Sequence, residues 1–449
     1  MEKVNTDELI SKLISGTYEE FSDSIVVFLK IYDKKTNFEE LNNNCLREKL
    51  WKRLFYYLTD YTHLDHHHHY LAALRILSRD KTNLNELITD EAIKIILQNA
   101  ILTKICEEEQ ISYTAEEFVT QNRDNRTTVI KNEEIMVVFE VLKVLFNLYV
   151  HSDDSGVEDQ EKYRNLVFIL YKLLVFKYSI QQDDLESNVI NLLTVIPSSC
   201  YTPIVQPVEN DDCKNVHQNM DMSAIRVLLK FLDQRLDCKI NLIENISPVI
   251  TALIRLVKSE KIIRKYVRLQ ILPPLKDVMN RPEEGTTLRA KLCKLLTSPL
   301  TELRDLVAEL LFILCKENVN RMVKYTGYGN AAGMFAKKGL LGPSQAETNY
   351  SSESEDSETE EYLKFKEQIN PVTGCFENPK SNPLEGMTDA QKEYEALQLV
   401  NLVDKLTREG IVRPCRIGDD GKPKPIEHVL ELQSELPRQQ YGRKDSDSE

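Results

Sequence analysis

Arg75 and Arg79 stand four residues apart in the segment Leu74–Asp80, LRILSRD. On a helix that spacing brings both guanidiniums to one face. Two planar forks side by side suit the bidentate capture of a carboxylate. The segment Leu142–Asn147, LKVLFN, can be laid over the first, and it then puts Lys143 and Asn147 at the corresponding polar positions. Asn147 also completes an L-x-x-L-x-N pattern common in armadillo third helices. If the two segments are equivalent helices of stacked repeats, Arg75, Arg79, Lys143 and Asn147 line one concave face. The other reading of Arg79 is a surface pairing with Asp80 or another nearby acid.

Other chemistry-bearing groups read differently. His66–His69, with His63 and Asp65, carry metal-ligating side chains. Consecutive helical positions point all around the axis, whereas a tetrahedral site needs ligands converging from one side, so a surface run at a helix start is expected. Gly327–Ala332 fits G-x-G-x-x-A, and Glu347 follows twenty residues after Gly327. A dinucleotide fingerprint sits on a strand-to-helix turn. Here Glu317–Tyr325 reads as a helix and its end, which predicts a Gly-rich corner instead. No Ser/His/Asp or Cys/His set stands out, so neither catalytic residues nor a metal or cofactor is expected. Nine cysteines without a CxxC pair fit a reduced cytosolic protein better than a disulfide framework or zinc site.

The elements that must position these groups are helices. Apolar residues recur at helical spacing in Phe139, Leu142, Leu145 and Phe146, in Ile225, Leu228, Leu229 and Leu232, and in Leu303, Leu306, Val307, Leu310 and Leu314. Leu-x-x-Leu pieces return at Leu253–Leu256 and Leu311–Leu314. Stacked repeats of about 40–47 residues would bury such stripes jointly. Residues 1–340 are therefore expected to be an all-α, armadillo/HEAT-like solenoid, with an irregular helical bundle as the alternative. The whole chain of 449 residues has 57 basic and 71 acidic side chains, a net charge of −14, and 42% apolar residues. That balance argues against non-specific nucleic-acid binding. No basic-then-apolar leader opens the sequence, and no run approaches the roughly 18 apolar residues that span a bilayer.

The character changes near residue 340. Residues 341–449 carry a net −10 and residues 1–340 only −4. Residues 341–369 read as an acidic disordered linker, within which 350–362 hold six acids and five Ser or Thr. Ser352 and Ser357 each have an acid three residues on, the pattern of acidophilic casein-type kinases, and their phosphates would dock on basic groups of the solenoid. An inert solvated linker is the other reading. Residues 370–385, with three Pro, should be extended. Thr388 and Gln391 form a capping box opening a helix that stops at Gly410. Its stripe of Ala396, Leu399, Val403 and Leu406 needs an apolar partner. Residues 410–449 read as a disordered tail.

LRILSRD, Leu272–Val278 (LPPLKDV), Lys324–Gly333 (KYTGYGNAAG), Asn370–Gly374 (NPVTG), Asn382–Thr388 (NPLEGMT) and the helix Gln391–Arg408 occur in this order. In that order they resemble the synembryn family, the resistance-to-inhibitors-of-cholinesterase proteins. The resemblance covers most of the chain and is densest at 220–409. It implies an armadillo/HEAT-like protein of the cytoplasm and cell cortex that binds heterotrimeric G-protein alpha subunits, GDP-bound or nucleotide-free. Receptor-independent exchange and folding assistance are implied, by a monomer without bond chemistry, cofactor or membrane span. It further implies that the alpha subunit's C-terminal helix lies in the concave trough, with Arg75 and Arg79 on its terminal carboxylate. Residues 387–408, which include Leu399, Val403 and Leu406, would reach the GTPase domain near its switch region, and Ser352 and Ser357 would be phosphorylated. Between about 95 and 115 the chain departs from the family, lacking roughly two helical repeats. One of these would carry an Asn beside the Arg pair. Val195 is a smaller departure, standing where other repeats often show Asn. The rival expectation is an armadillo scaffold that binds peptides and leaves nucleotide release unchanged.

Overall fold

The computed structural model describes residues 6–36, 38, 41, 46–59, 65–80, 89–99, 132–150, 157–175, 181–208, 215–238, 240–341, 359–378 and 383–426. The chain divides into two units, Met1–Gln270 and Ile271–Glu449.

The first unit is built from α1 (Thr6–Ser15), α2 (Tyr18–Tyr32), α3 (Leu46–Leu58), α4 (His67–Leu77), α5 (Asp90–Asn99), α6 (Asn132–Tyr149), α7 (Val157–Val175), α8 (Gln182–Leu193), α9 (Ser223–Asp237) and α10 (Leu242–Ser259), with α11 (Lys261–Ile271) at its end. Among the described residues, successive helices pack as pairs: α1 with α2, α3 with α4, α5 with α6, α7 with α8, α9 with α10. The second helix of each pair lies against the second helix of the next, giving one row from α2 through α4, α6 and α8 to α10. The first helices meet likewise, α1 with α3, α3 with α5, and α7 with α9. This all-α arrangement is a solenoid. α1, α3 and α5 begin at Thr6, Leu46 and Asp90, steps of 40 and 44 residues, within the repeat length anticipated for such an array.

The stripes read from the sequence face the core. Leu142 and Leu145 of α6 and Ile225, Leu228 and Leu232 of α9 are fully buried. Each such side chain contributes about 1.5–3 kcal/mol that no isolated helix could obtain. A small sheet interrupts the array between α8 and α9, with order β1 (Gln206–Pro207), β3 (Met220–Asp221), β2 (Val216–His217). Gln218 and Asn219, both at positive φ, turn the β2–β3 hairpin, as a two-residue loop between twisted strands requires.

Helix ends in this unit are closed by side chains from other helices. Arg53 of α3 donates to the carbonyls of Lys12 (3.4 Å), Leu13 (3.2 Å) and Gly16 at the end of α1. Arg79 donates to the carbonyl of Asp33 after α2. Arg47 of α3 donates to the carbonyls of Leu77 (2.6 Å) and Asp80 (2.5 Å) after α4. Arg255 of α10 donates to the carbonyl of Ile196 after α8 at 2.8 Å. Each guanidinium meets carbonyls at or just beyond the C-terminal end of a helix, the negative end of its dipole.

The second unit contains α12 (Leu288–Leu295), α13 (Thr301–Leu314), α14 (Val319–Thr326), α15 (Tyr328–Lys338), α16 (Glu360–Phe365) and α17 (Asp389–Arg408). Apolar α13 packs against α12, α14 and α15. Residues 359–377 run over these helices as a strap. Thr359 caps α16 by accepting from the Tyr362 amide at 3.1 Å. Tyr362 is buried, and the Lys324 ammonium lies 4.4 Å from its ring centroid. This part of the expected linker is therefore helical, because one aromatic side chain finds a cationic lid. The strap continues as β4 (Ile369–Asn370) paired antiparallel with β5 (Cys375–Phe376). The segment expected to be extended thus turns back at Pro371–Gly374. The Asn370 side chain accepts from the Val372 amide at 2.9 Å, and its carbonyl accepts from Gly374 at 2.8 Å, an Asx-type turn. Beyond α17, β6 (Cys415–Ile417) pairs with β7 (Pro423–Pro425), where a tail without structure was expected.

Candidate functional site

α4 and α6 are neighbours in the row of second helices, so the LRILSRD and LKVLFN segments meet. Arg75 leaves the last turn of α4, and Arg79 follows just beyond the cap residue Ser78. The Arg75 Nε donates to Glu140 Oε2 at 2.6 Å, and one terminal nitrogen donates to Asp33 Oδ1 at 3.3 Å. The other oxygen of Glu140 accepts from Lys143 Nζ at 3.0 Å. Arg79 reaches the main-chain carbonyl of the same Asp33. Asn147 Nδ2 donates to the Arg75 carbonyl at 3.1 Å and to Ser78 Oγ at 3.0 Å. The four sequence-derived residues are thus brought together, with Asn147 holding the helix end and the three cations gathered around two acids.

The charges are graded in depth. The Glu140 side chain is 9% exposed, Arg75 16%, Lys143 39% and Asp33 57%. Arg75, Arg79 and Lys143 against Asp33 and Glu140 leave one positive charge in excess. Burial, and then the neighbouring Arg75 charge, pull Arg79 below the ordinary guanidinium range, while Asp33 and Glu140 oppose the shift. Arg79 does not pair with Asp80. Asp80 lies 3.7 Å from Arg47, and both side chains are under a tenth exposed. Burial lowers Arg47 as well, partly offset by Asp80. One excess positive charge and a partly exposed guanidinium edge give the cluster the chemistry of a carboxylate site.

Glu140, Asp33 and Arg47 did not emerge from the sequence. Glu140 left a trace as the one acid inside the apolar run Ile135–Leu148. Asp33 left another, as an acid at a helix C-terminus, where the dipole disfavours it.

The remaining candidates separate. His66 lies beside Tyr18 and within 3.3 Å of Ser22 Oγ, His68 Nδ1 is 3.1 Å from the Asp65 carbonyl, and His67 is buried. The run is thus not wholly a surface feature, and among the described residues no three His, Cys, Asp or Glu side chains could hold a metal ion together. Gly327 joins helix α14 to helix α15, with no strand before it. The first amides of α15, Tyr328 and Gly329, donate to Pro371 (2.8 Å) and Val372 (2.9 Å) of the strap. The glycines let one backbone approach another: a Cβ on Gly327, at φ +74, would stand 3.0 Å from both the Val372 carbonyl oxygen and the Thr373 carbonyl carbon.

In α17 the Thr388–Gln391 capping box and the stop at Gly410 (φ +72) are as expected. Val403 and Leu406 are half-buried, but Leu399 is 62% exposed. Tyr394, Leu397, Val400 and Leu402 are exposed too, so the apolar surface is broader than the stripe. No helix among the described residues is long and apolar enough to cross a membrane. Ser352, Ser357 and Glu347 lie outside the described residues, as does most of the interval from 95 to 115.

A family profile described as guanine nucleotide exchange factor synembryn matches residues 99–422. Chaperone Ric-8 of Drosophila pseudoobscura pseudoobscura is 45% identical over 340 residues, covering 70% of this chain and 60% of that protein. Chaperone Ric-8A of Xenopus tropicalis is 42% identical over 331 residues, covering 73% and 60%, and that of Danio rerio is 42% identical over 326 residues, covering 71% and 58%. The chain thus spans about 60% of the length of the curated relatives it matches. Arg75 and Arg79 precede the interval matched by the profile.

Proposed function

Because this chain belongs to the synembryn family, we propose that it acts on alpha subunits of heterotrimeric G proteins, as a folding chaperone and as an exchange factor that releases GDP. The observation that carries this reading is the cluster at the α4–α6 junction, which has one excess positive charge and an exposed guanidinium edge. A helix ending in a free carboxylate fits it. The alpha subunit's last helix, drawn away from its own GTPase core, would be held there. A ligand shifts a conformational equilibrium only by its differential affinity for the two states. A solenoid that binds the detached helix therefore favours the open, nucleotide-free form, and the same preference keeps an unfinished alpha subunit in solution. α17, with its exposed apolar side chains, supplies a second contact of the kind that marks a protein interface, placed on the GTPase domain. Ser352 and Ser357 would be casein-type kinase sites regulating it. The protein would work as a monomer in the cytoplasm and at the cell cortex. The scheme makes and breaks no covalent bond.

The decisive measurement is GDP release from an alpha subunit with wild-type protein, with Arg75→Ala plus Arg79→Ala, and with α17 deleted. The double variant should lose binding of the C-terminal helix and acceleration of release together. The α17 deletion should lose acceleration yet keep peptide binding. If the double variant binds and exchanges like wild type, the clamp is not the recognition site. If no form accelerates release while all bind the peptide, the protein is a scaffold.

A further inference from the structure

We infer that Asp33 is the resident occupant of the clamp, a carboxylate of the chain itself that holds the outer edge of Arg75 until an incoming carboxylate displaces it. The inference rests on the reading that a free C-terminal carboxylate binds at Arg75 and Arg79. Among the described residues, Asp33 is the one that accepts hydrogen bonds from both arginines: its side chain from Arg75 at 3.3 Å and its main-chain carbonyl from Arg79. The two acids of the cluster differ in what they can do. Glu140, 9% exposed, is tied on both oxygens, to Arg75 at 2.6 Å and Lys143 at 3.0 Å; it fixes the guanidinium plane. Asp33, 57% exposed and held by one longer contact, can turn into water without leaving a buried charge unpaired.

Position adds a second argument. Asp33 is the C-cap of α2, where a negative side chain opposes the helix dipole. The acid does not serve its own helix, and its counter-charges are the two arginines. Exchange of Asp33 for a ligand carboxylate replaces like with like and conserves the charge of the cluster. A neutral terminus cannot make that exchange. Asp33 thereby sets a threshold that a carboxylate passes only when the rest of its chain contributes contacts along the row of second helices.

The test titrates the full chain with a synthetic peptide of an alpha subunit's last helix, bearing either a free carboxylate or a terminal amide. Asp33→Asn keeps the main-chain carbonyl for Arg79 and removes the competitor. It should tighten binding of the free-carboxylate peptide about two- to fivefold at low salt. That gain should vanish near 1 M salt, and the amide should bind as before. Asp33→Ser should behave alike, and neither variant should melt below wild type. Arg75→Ala should weaken the carboxylate peptide. If Arg75→Ala weakens binding while both Asp33 variants leave it unchanged or weaker, Asp33 is no occupant and the clamp stands. If Arg75→Ala has no effect, the clamp reading itself fails and the inference with it.

Discussion

Arg47 supports the candidate site through the turn that follows α4. Its guanidinium is almost completely enclosed, donates to the carbonyls of Leu77 and Asp80, and lies 3.7 Å from the Asp80 carboxylate. It therefore fixes the turn from which Arg79 projects. Replacing it by Ala removes the donor to two carbonyls and the counter-charge beside one acid, in a site under a tenth exposed. We expect Arg47→Ala to lower unfolding free energy by about 3 kcal/mol, read from urea denaturation, and to weaken carboxylate-peptide binding although it makes no contact with the peptide. At this scale the sequence revealed Arg75, Arg79, Lys143 and Asn147, because they recur at equivalent positions of a repeated helix. It did not reveal Arg47, Asp33 or Glu140. Their partners lie 33, 42 and 65 residues away, and such pairings follow from how repeats stack, which local periodicity does not specify.

Among the elements, the N-terminus of α15 joins two sequence motifs into one structural unit. A helix start presents amides that lack partners, and here a Gly-rich corner lets the carbonyls of Pro371 and Val372 fill them. The G-x-G-x-x-A spacing is thus the mark of close backbone packing, not of a nucleotide. Gly327→Ala, which strains a residue at φ +74 and drives its Cβ against Val372 and Thr373, should cost about 1–3 kcal/mol. Limited proteolysis should then cut near residues 371–374 faster. Gly333, in the same helix with open space at its Cβ, should do the reverse: Gly333→Ala should stabilise by about 0.5–1 kcal/mol, seen as a higher melting temperature. Helix boundaries were legible where capping chemistry is local, at Thr388, Gln391 and Gly410. The strap was not, because the three Pro of residues 370–385 read as extended, whereas the turn is closed by the side chain and carbonyl of Asn370 and by the pairing of β4 with β5. Leu399, Val403 and Leu406 were legible as one face of α17, yet Leu397, Val400 and Leu402 make more of its circumference apolar.

For the molecule as a whole, composition placed a boundary near residue 340, where acids accumulate, whereas packing divides the chain at 270–271. Helix α11 ends at Ile271 and none follows until α12 at Leu288, so the break is marked by Pro273 and Pro274 and not by the charge distribution. The clamp belongs to the first unit and α17 to the second, and the proposed activity draws on both. The closing of one helix end by a later helix has a consequence for how the chain is made. Arg53, Arg79, Asn147 and Arg255 all follow the turns they complete, and Arg47 alone precedes its own. A nascent chain emerging from the ribosome therefore holds the ends of α1, α2 and α8 open until the next pair has been synthesised. Ribosome-stalled chains that have not yet exposed α4 should lose the turn after α2 to protease, and chains long enough to expose Arg79 should protect it. Equal protection at both lengths would show that the turn closes on its own.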